Sequence, residues 1–333
     1  MYFKNYIEDI LLLPHFRLKN DMKRRVIFLM SILLTLATGV RAQFDVHFTH
    51  YWTLQNYYNP AAAGASGRMN MQAAYSMQMA GYKNAPATML VAVDYALPAQ
   101  EKAHAVQAGM LSDKIGLFNN QRLYAGYAYR MNLWGGKLAL GVNAGMLSQT
   151  FDGSKVEAEE KSDPAIPSSS VEGQALDVGA GVYYSYRSAY LGLAAMHLTA
   201  PTLELGETNE MKVRRSYILQ GGCNIPLKNP LLSIQPSVQL LTNLVAWRAD
   251  VTVRGTYVWD EKKYYAGLTY SPMTSIAILL GAEINSFTFG YAYELFTSGV
   301  GLIYGSHDLS VSYKMDLDLG KKGKNKHKSV RYL

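Results

Sequence analysis

From Leu123 to Met131 the chain reads Leu-Tyr-Ala-Gly-Tyr-Ala-Tyr-Arg-Met, with Leu123, Ala125, Tyr127, Tyr129 and Met131 on one parity and Tyr124, Gly126, Ala128 and Arg130 on the other. Successive side chains of a strand point to opposite faces, so this two-residue beat specifies a strand with one greasy face and one smaller or more polar face. The beat returns at Leu138, Leu140, Val142, Ala144 and Met146, set against Lys137, Gly141, Asn143 and Gly145. It returns again around Leu176–Tyr184, Val251–Tyr257, Phe287–Tyr293 and Leu309–Met315. A helical period of 3.6 fits none of these windows.

Soluble sandwiches and membrane barrels both alternate in this way, and the N-terminus separates them. Met22-Lys-Arg-Arg25 is a positively charged start, Val26 to Val40 is an apolar stretch short for a transmembrane helix, and Val40-Arg-Ala42 supplies small residues for a signal peptidase. These features predict an export signal over residues 1–42 with Met22 as the working initiator, because the residues before Met22 carry Glu8, Asp9 and Lys19 and fit no signal. The mature chain then begins at Gln43. With Gln43 at that point and Cys223 as the only cysteine, neither a lipid anchor nor an internal disulfide is expected.

Hydrophobic residues make up 49% of the chain and charged ones 17%, against about 25% charged in an average soluble domain. Low charge without a membrane-length helix is what a lipid-facing barrel wall produces. Tyrosine is abundant, at 25 residues, and Tyr57, Tyr58, Tyr124, Tyr183, Tyr264, Tyr265 and Tyr313 are candidates for aromatic girdles at the bilayer interfaces. The net charge of +7 does not point to nucleic acid, because Lys321, Lys322, Lys324, Lys326, Lys328 and Arg331 gather in a terminal tail and Lys23, Arg24 and Arg25 belong to the signal. That tail is either a solvated end or a docking site for an acidic partner.

The alternating runs predict an all-β, antiparallel transmembrane outer-membrane barrel of about fourteen strands. Its parts are an N-terminal segment at 43–67, the barrel at 68–316 and a basic periplasmic tail at 317–333. Short turns are expected at Trp134–Gly136, Arg187–Ser188, Asp260–Lys262 and Asn285–Ser286, with both termini on that side. Longer connections are expected at Asp113–Asn120, Phe151–Gly173, Ala200–Met211 and Phe296–Ser306. The longest carries Glu157, Glu159, Glu160 and Asp163, which suits an exposed surface loop. The segment before the first strand contains Tyr57-Tyr-Asn-Pro60-Ala-Ala-Ala-Gly64, whose turn and small residues allow close packing against the lumen or its periplasmic rim.

No chemistry-bearing constellation stands out. His47 and His50 point to opposite faces of a strand and lack further ligands, so neither a metal nor another cofactor is expected. Ser306, His307 and Asp308 are neighbours in one strand and cannot converge as a triad, so the chain is not expected to be an enzyme. Gly179-Ala-Gly181 and Gly135-Gly136 precede no helix and carry no phosphate-binding context. Lys137, Asp177, Arg122, Arg130, Arg248, Asp250, Arg254, Asp308 and Lys314 fall on the polar parity, where mixed signs favour a lumen knitted by ion pairs.

Tyr58-Asn59-Pro60 through Gly64, Pro86 within Ala85–Thr88, Asp177–Tyr184 followed by Tyr190–Leu193, and Gly305-Ser306-His307-Asp308 together resemble the PorP/SprF family. The resemblance implies an outer-membrane component of the type IX secretion system and gliding machinery of Bacteroidetes, supporting export of proteins that bear a C-terminal sorting domain. It implies, as partners, a periplasmic ring lipoprotein and its companion (PorK and PorN), a peptidoglycan-binding periplasmic protein (PorE) and outer-membrane lipid. The sequence departs from the family pattern at Ser76, Met79 and Asp308, where Arg, Trp and Glu are usual. The alternative function is a passive outer-membrane channel or transporter for small solutes. An outer-membrane hydrolase is the weakest reading, since no separated nucleophile, base and acid stand out.

Overall fold

The computed structural model describes residues 45–82, 84–98, 103–156, 167, 169–206, 209–298 and 305–317. The expected export signal, the acidic stretch Glu157–Asp163 and the basic tail from Lys321 to Arg331 lie outside the described residues.

The strands are β1 (Met69–Met77), β2 (Ala87–Ala96), β3 (His104–Ile115), β4 (Phe118–Leu133), β5 (Gly136–Asp152), β6 (Ser170–Tyr186), β7 (Ala189–Met196), β8 (Thr202–Leu205), β9 (Asn209–Lys212), β10 (Ser216–Cys223), β11 (Ile225–Pro226), β12 (Leu232–Thr242), β13 (Trp247–Trp259), β14 (Lys262–Ser271), β15 (Ser275–Ile284), β16 (Phe287–Phe296) and β17 (Ser306–Met315). Each barrel strand pairs antiparallel with its neighbour in the chain, and β1 pairs with β17 to close the sheet. β8 and β9 form a separate hairpin, and β11 is a short addition to β12, which itself pairs with β10. That leaves a closed barrel of 14 strands, as the alternation implies. Closure removes the unpaired edges that lipid cannot satisfy.

The parity holds all the way around. Leu123, Leu140, Val142, Leu176, Val182, Leu193, Val253, Leu268, Ile278, Leu280 and Leu309 are exposed on the outer face, whereas Arg122, Asn143, Asp177, Gln239, Thr252, Thr269 and Asp308 are buried inside. The girdle tyrosines are the main correction. Tyr57 and Tyr58 lie in the N-terminal segment, and Tyr124, Tyr183 and Tyr265 sit on the inward parity of their strands, with all but Tyr265 fully buried. Only Tyr264 and Tyr313 of that set face outward. Exposed aromatic residues include instead Trp134, Tyr129, Tyr186, Tyr257, Trp259 and Phe287 toward one end, and Tyr75, Phe118, Tyr270 and Tyr291 toward the other.

Tight turns at 134–135, 187–188, 260–261 and 285–286 share the end where β1 begins and β17 finishes. Long connections at 153–169, 197–215 and 297–305 gather at the opposite end. The connection between β3 and β4 differs from expectation. It is a two-residue turn, because Gly116 adopts a left-handed φ of 60° that lets the chain reverse at once.

β4, β5 and β6 are 16, 17 and 17 residues long. A spanning strand needs only about 9–11 residues, so these three rise past the bilayer as a wall on the long-connection side. Their outward positions there are polar, with Asn119, Gln121, Ser148, Glu172 and Gln174 in place of the apolar belt.

Candidate functional site

The lumen is filled by the chain's own N-terminal segment. Residues 45–67 run through it from the long-connection end to the start of β1, forming one helical turn, α1 (Gln55–Tyr58), and a 3-10 turn (Pro60–Ala62). Phe48, Tyr51, Leu54, Tyr57 and Tyr58 pack against the inward apolar side chains Leu90, Leu111, Tyr124, Ile218 and Leu241 as one core. Apolar residues on a polar parity therefore have a cause: they are the wall against which this plug is buried. Asp45, the first described residue, lies at the long-connection end beside His197, and β17 finishes at the short-turn end; both chain termini lie outside the described residues.

Polar anchors hold the plug from several sides of the barrel. Asp45 Oδ1 lies 2.9 Å from His197 Nε2, and His197 Nδ1 lies 2.9 Å from Asp177, which also accepts from Arg122 Nε at 2.9 Å. Burial opposes the charge on His197, but Asp45 and Asp177 together raise its imidazole to about 9. Burial likewise works against the Asp45 carboxylate, yet His197 holds it below its ordinary range. His47 Nε2 lies 3.1 Å from Asp250, and Arg248 bridges Asp250 at 3.0 Å and Glu294 at 2.7 Å. The Thr49 amide and hydroxyl both donate to Asp308 Oδ2, at 2.7 and 2.6 Å. Tyr51 shares its hydroxyl with Ser237 and Thr252.

Lower in the lumen, Asp94 accepts from Asn56 Nδ2 at 3.1 Å and from the Gly64 amide at 2.8 Å. Arg130 donates to the Ala63 and Gly64 carbonyls, each at 2.9 Å, and the Arg254 guanidinium lies 4.0 Å from the Trp52 ring centroid. Among the lumen charges Arg122 pairs with Asp177, and Arg248 with Asp250 and Glu294, as mixed signs imply, whereas Asp94, Arg130, Arg254 and Asp308 are spent on the plug and not, among the described residues, on ion pairs. Lys137 is exposed at the short-turn rim.

The Asn59-Pro60 turn packs on a glycine-lined wall. Asn59 caps the 3-10 turn by accepting from the Ala61 amide at 2.9 Å, while its Nδ2 donates to the Val182 carbonyl at 2.9 Å. A Cβ at Gly181 would overlap the Asn59 side chain, and one at Gly141 would overlap the backbone of Pro60 and Ala61. Those inward glycines exist to admit the plug.

Two cavities flank the plug and share no lining residue. One, of about 470 Å³, lies at the short-turn end and is lined by polar groups such as Asn70, Gln72, Asp94, Arg254 and Lys314. The other, of about 560 Å³, lies at the long-connection end above Val46, Tyr57 and Tyr58.

Of the motif residues, Tyr58, Asn59, Pro60 and Gly64 are all in the plug. Pro86 accepts from the Gln78 amide at 2.9 Å, and Gly305 from the Ala80 amide at 3.0 Å, joining the β1–β2 and β16–β17 connections. Ser306 and Asp308 face inward while His307 faces outward to the Tyr291 hydroxyl at 2.9 Å, which rules out a triad among them. Ser76 donates to Asp308, and the Met79 amide donates to Ser306 at 3.3 Å, so the three departures from the family pattern fall at one place. His47 and His50 do not converge, and no group that could hold a metal occurs among the described residues. Asp94, His197 and the glycine wall carry no local signal of their role.

Among solved structures, the chain is similar to a Pseudomonas aeruginosa FadL homologue at 13% identity, over 82% of this chain and 99% of that one, with a TM-score of 0.49. It is also similar to the Ralstonia pickettii toluene transporter TbuX at 12% identity, over 84% and 96%, with a TM-score of 0.47. A Rh. blastica porin mutant matches at 9% identity, over 74% and 99%, with a TM-score of 0.33. Likeness at this level concerns the barrel fold alone. No curated protein matches the sequence. The model of the type IX secretion system membrane protein PorP/SprF matches residues 40–313, and this outer-membrane barrel belongs to that family.

Proposed function

We propose that this protein acts in type IX secretion as a closed, non-conducting barrel that anchors periplasmic partners and so supports export of sorting-domain cargo. The observation that carries the reading is the plug. A lumen filled by aromatic side chains and fixed by anchors to Asp94, Arg130, Asp250 and Asp308 is built as a rigid body, in contrast to the water-filled lumen of a passive porin. Family membership supplies the secretion context. The partners proposed are the ring lipoprotein and its companion (PorK-like and PorN-like) and a PorE-like peptidoglycan-binding protein, met at the short-turn end where β17 finishes.

The passive-channel alternative makes the opposite forecast, and two measurements separate them. In planar bilayers the intact protein should show no conductance, while a variant lacking residues 45–64 that still forms a barrel should conduct. In cells, loss of the protein should halt export of at least one sorting-domain cargo and leave small-solute permeability unchanged. Steady conductance by the intact barrel, or undisturbed export without it in a strain holding no paralogue, overturns the proposal.

A further inference from the structure

We propose that the cavity at the long-connection end is a binding site for a single-chain anionic amphiphile taken from the cell-surface side. Four observations lead there. The cavity's floor is the plug, its sides are Leu111 of β3 and Leu147 of the protruding wall with Ile218 opposite, and Leu203 of the β8–β9 hairpin closes over it. Most of that lining is apolar, in a part of the barrel where solvent has access and a polar surface is the ordinary solution. A volume of about 560 Å³ falls in the range of small-molecule sites. Closure of the floor makes it a site that holds its ligand and not a stage in a conduit.

The charges choose the head group. Of the acids at the cavity, Asp113 is buried and accepts from Thr88 Oγ1 at 2.6 Å, and Asp45 is paired with His197. Arg122 is likewise spent on Asp177. Lys212 and Arg214, both exposed on the connection that roofs the cavity, make no ion pair among the described residues. An apolar pocket whose exposed, unpaired charges are both positive selects a molecule with an apolar body and one anionic group, since a guanidinium binds a carboxylate in bidentate fashion and an ammonium adds a point charge.

The test uses the full-length protein in lipid nanodiscs and dodecanoate carrying a terminal diazirine. Photolysis should label peptides containing Leu111, Leu147 or Ile218. Unlabelled dodecanoate should compete, whereas dodecanol and dodecyltrimethylammonium should compete about tenfold less well, the scale of one charge-assisted contact. Arg214→Glu, at an exposed position, should weaken labelling by a similar factor, and Leu147→Trp should abolish it by filling the cavity. Heat-modifiable mobility on gels reports that both variants remain folded. Labelling confined to outward residues such as Leu123 and Leu176, equal competition by all three head groups, or full labelling of folded Leu147→Trp would each overturn the proposal.

Discussion

Asn59 lies directly over Gly181, so close that any side chain at position 181 would occupy the space of its amide. A glycine on β6 and an asparagine more than a hundred residues earlier therefore form one fitted joint between wall and plug. Gly181→Val should unseat the plug while leaving the strand ladder intact, because overpacking a filled interior costs about 1–3 kcal/mol. Conductance in planar bilayers should appear in this variant and remain absent from Gly255→Val, where a Cβ meets nothing within 4 Å.

The His197 anchor should respond to alkali. Its imidazole titrates at about 9, above its ordinary value of 6.5. A raised value means that the stabilisation is complete below about pH 6.5 and is lost as the pH climbs through about 9. Hydrogen exchange of the plug amides near Val46 and Phe48 should therefore quicken between pH 7 and pH 10, after correction for the intrinsic rate. In His197→Gln that extra pH dependence should vanish.

Lipid and lumen faces should differ in their tolerance of charge. Ile278 is exposed on the outer face, whereas Thr288 lines the open short-turn cavity and pairs in register with Glu283. An Arg at the bilayer midplane costs about 2–4 kcal/mol, so Ile278→Arg should sharply reduce folded barrel and Thr288→Arg should change it little. Urea titrations in liposomes measure the difference. The choice of lumen position matters: Gly179 is also inward, but a Cβ there would press on Met196 and Asn143.

Strand parity was legible in the sequence because it is local: Leu123 and Tyr124 announce their faces within a few residues. Closure, the even strand count and the inward polar residues follow from it. The plug was less legible. Leu90 and Leu241, buried on the inward parity, read as lapses in the alternation until the N-terminal segment is placed against that wall. Tyr57 and Tyr58 look like girdle residues for the same reason, since nothing within their own window says that a barrel will fold around them. Asp94 and His197 are read only through partners dozens of residues away, at Asn56 and Gly64 in one case and Asp45 in the other. The β3–β4 turn was missed on a single conformational fact, the left-handed backbone of Gly116.

The basic tail can be tested through its charge. β17 ends at Met315 at the short-turn end, and the chain continues from there into Lys321, Lys322, Lys324, Lys326, Lys328 and Arg331. If these residues dock an acidic periplasmic partner, a protein truncated after Leu317 should still fold as a heat-modifiable barrel and should lose co-purification with that partner. The intact protein's capture should weaken as salt rises, because exposed charges are screened over about 8 Å at physiological ionic strength and over about 3 Å at 1 M. A charge-reversed tail, with the five lysines replaced by glutamate, should bind no better than the truncation. Equal recovery of the partner by the intact, truncated and reversed proteins would assign the tail to solubility alone and move the search for the docking surface to the short turns themselves.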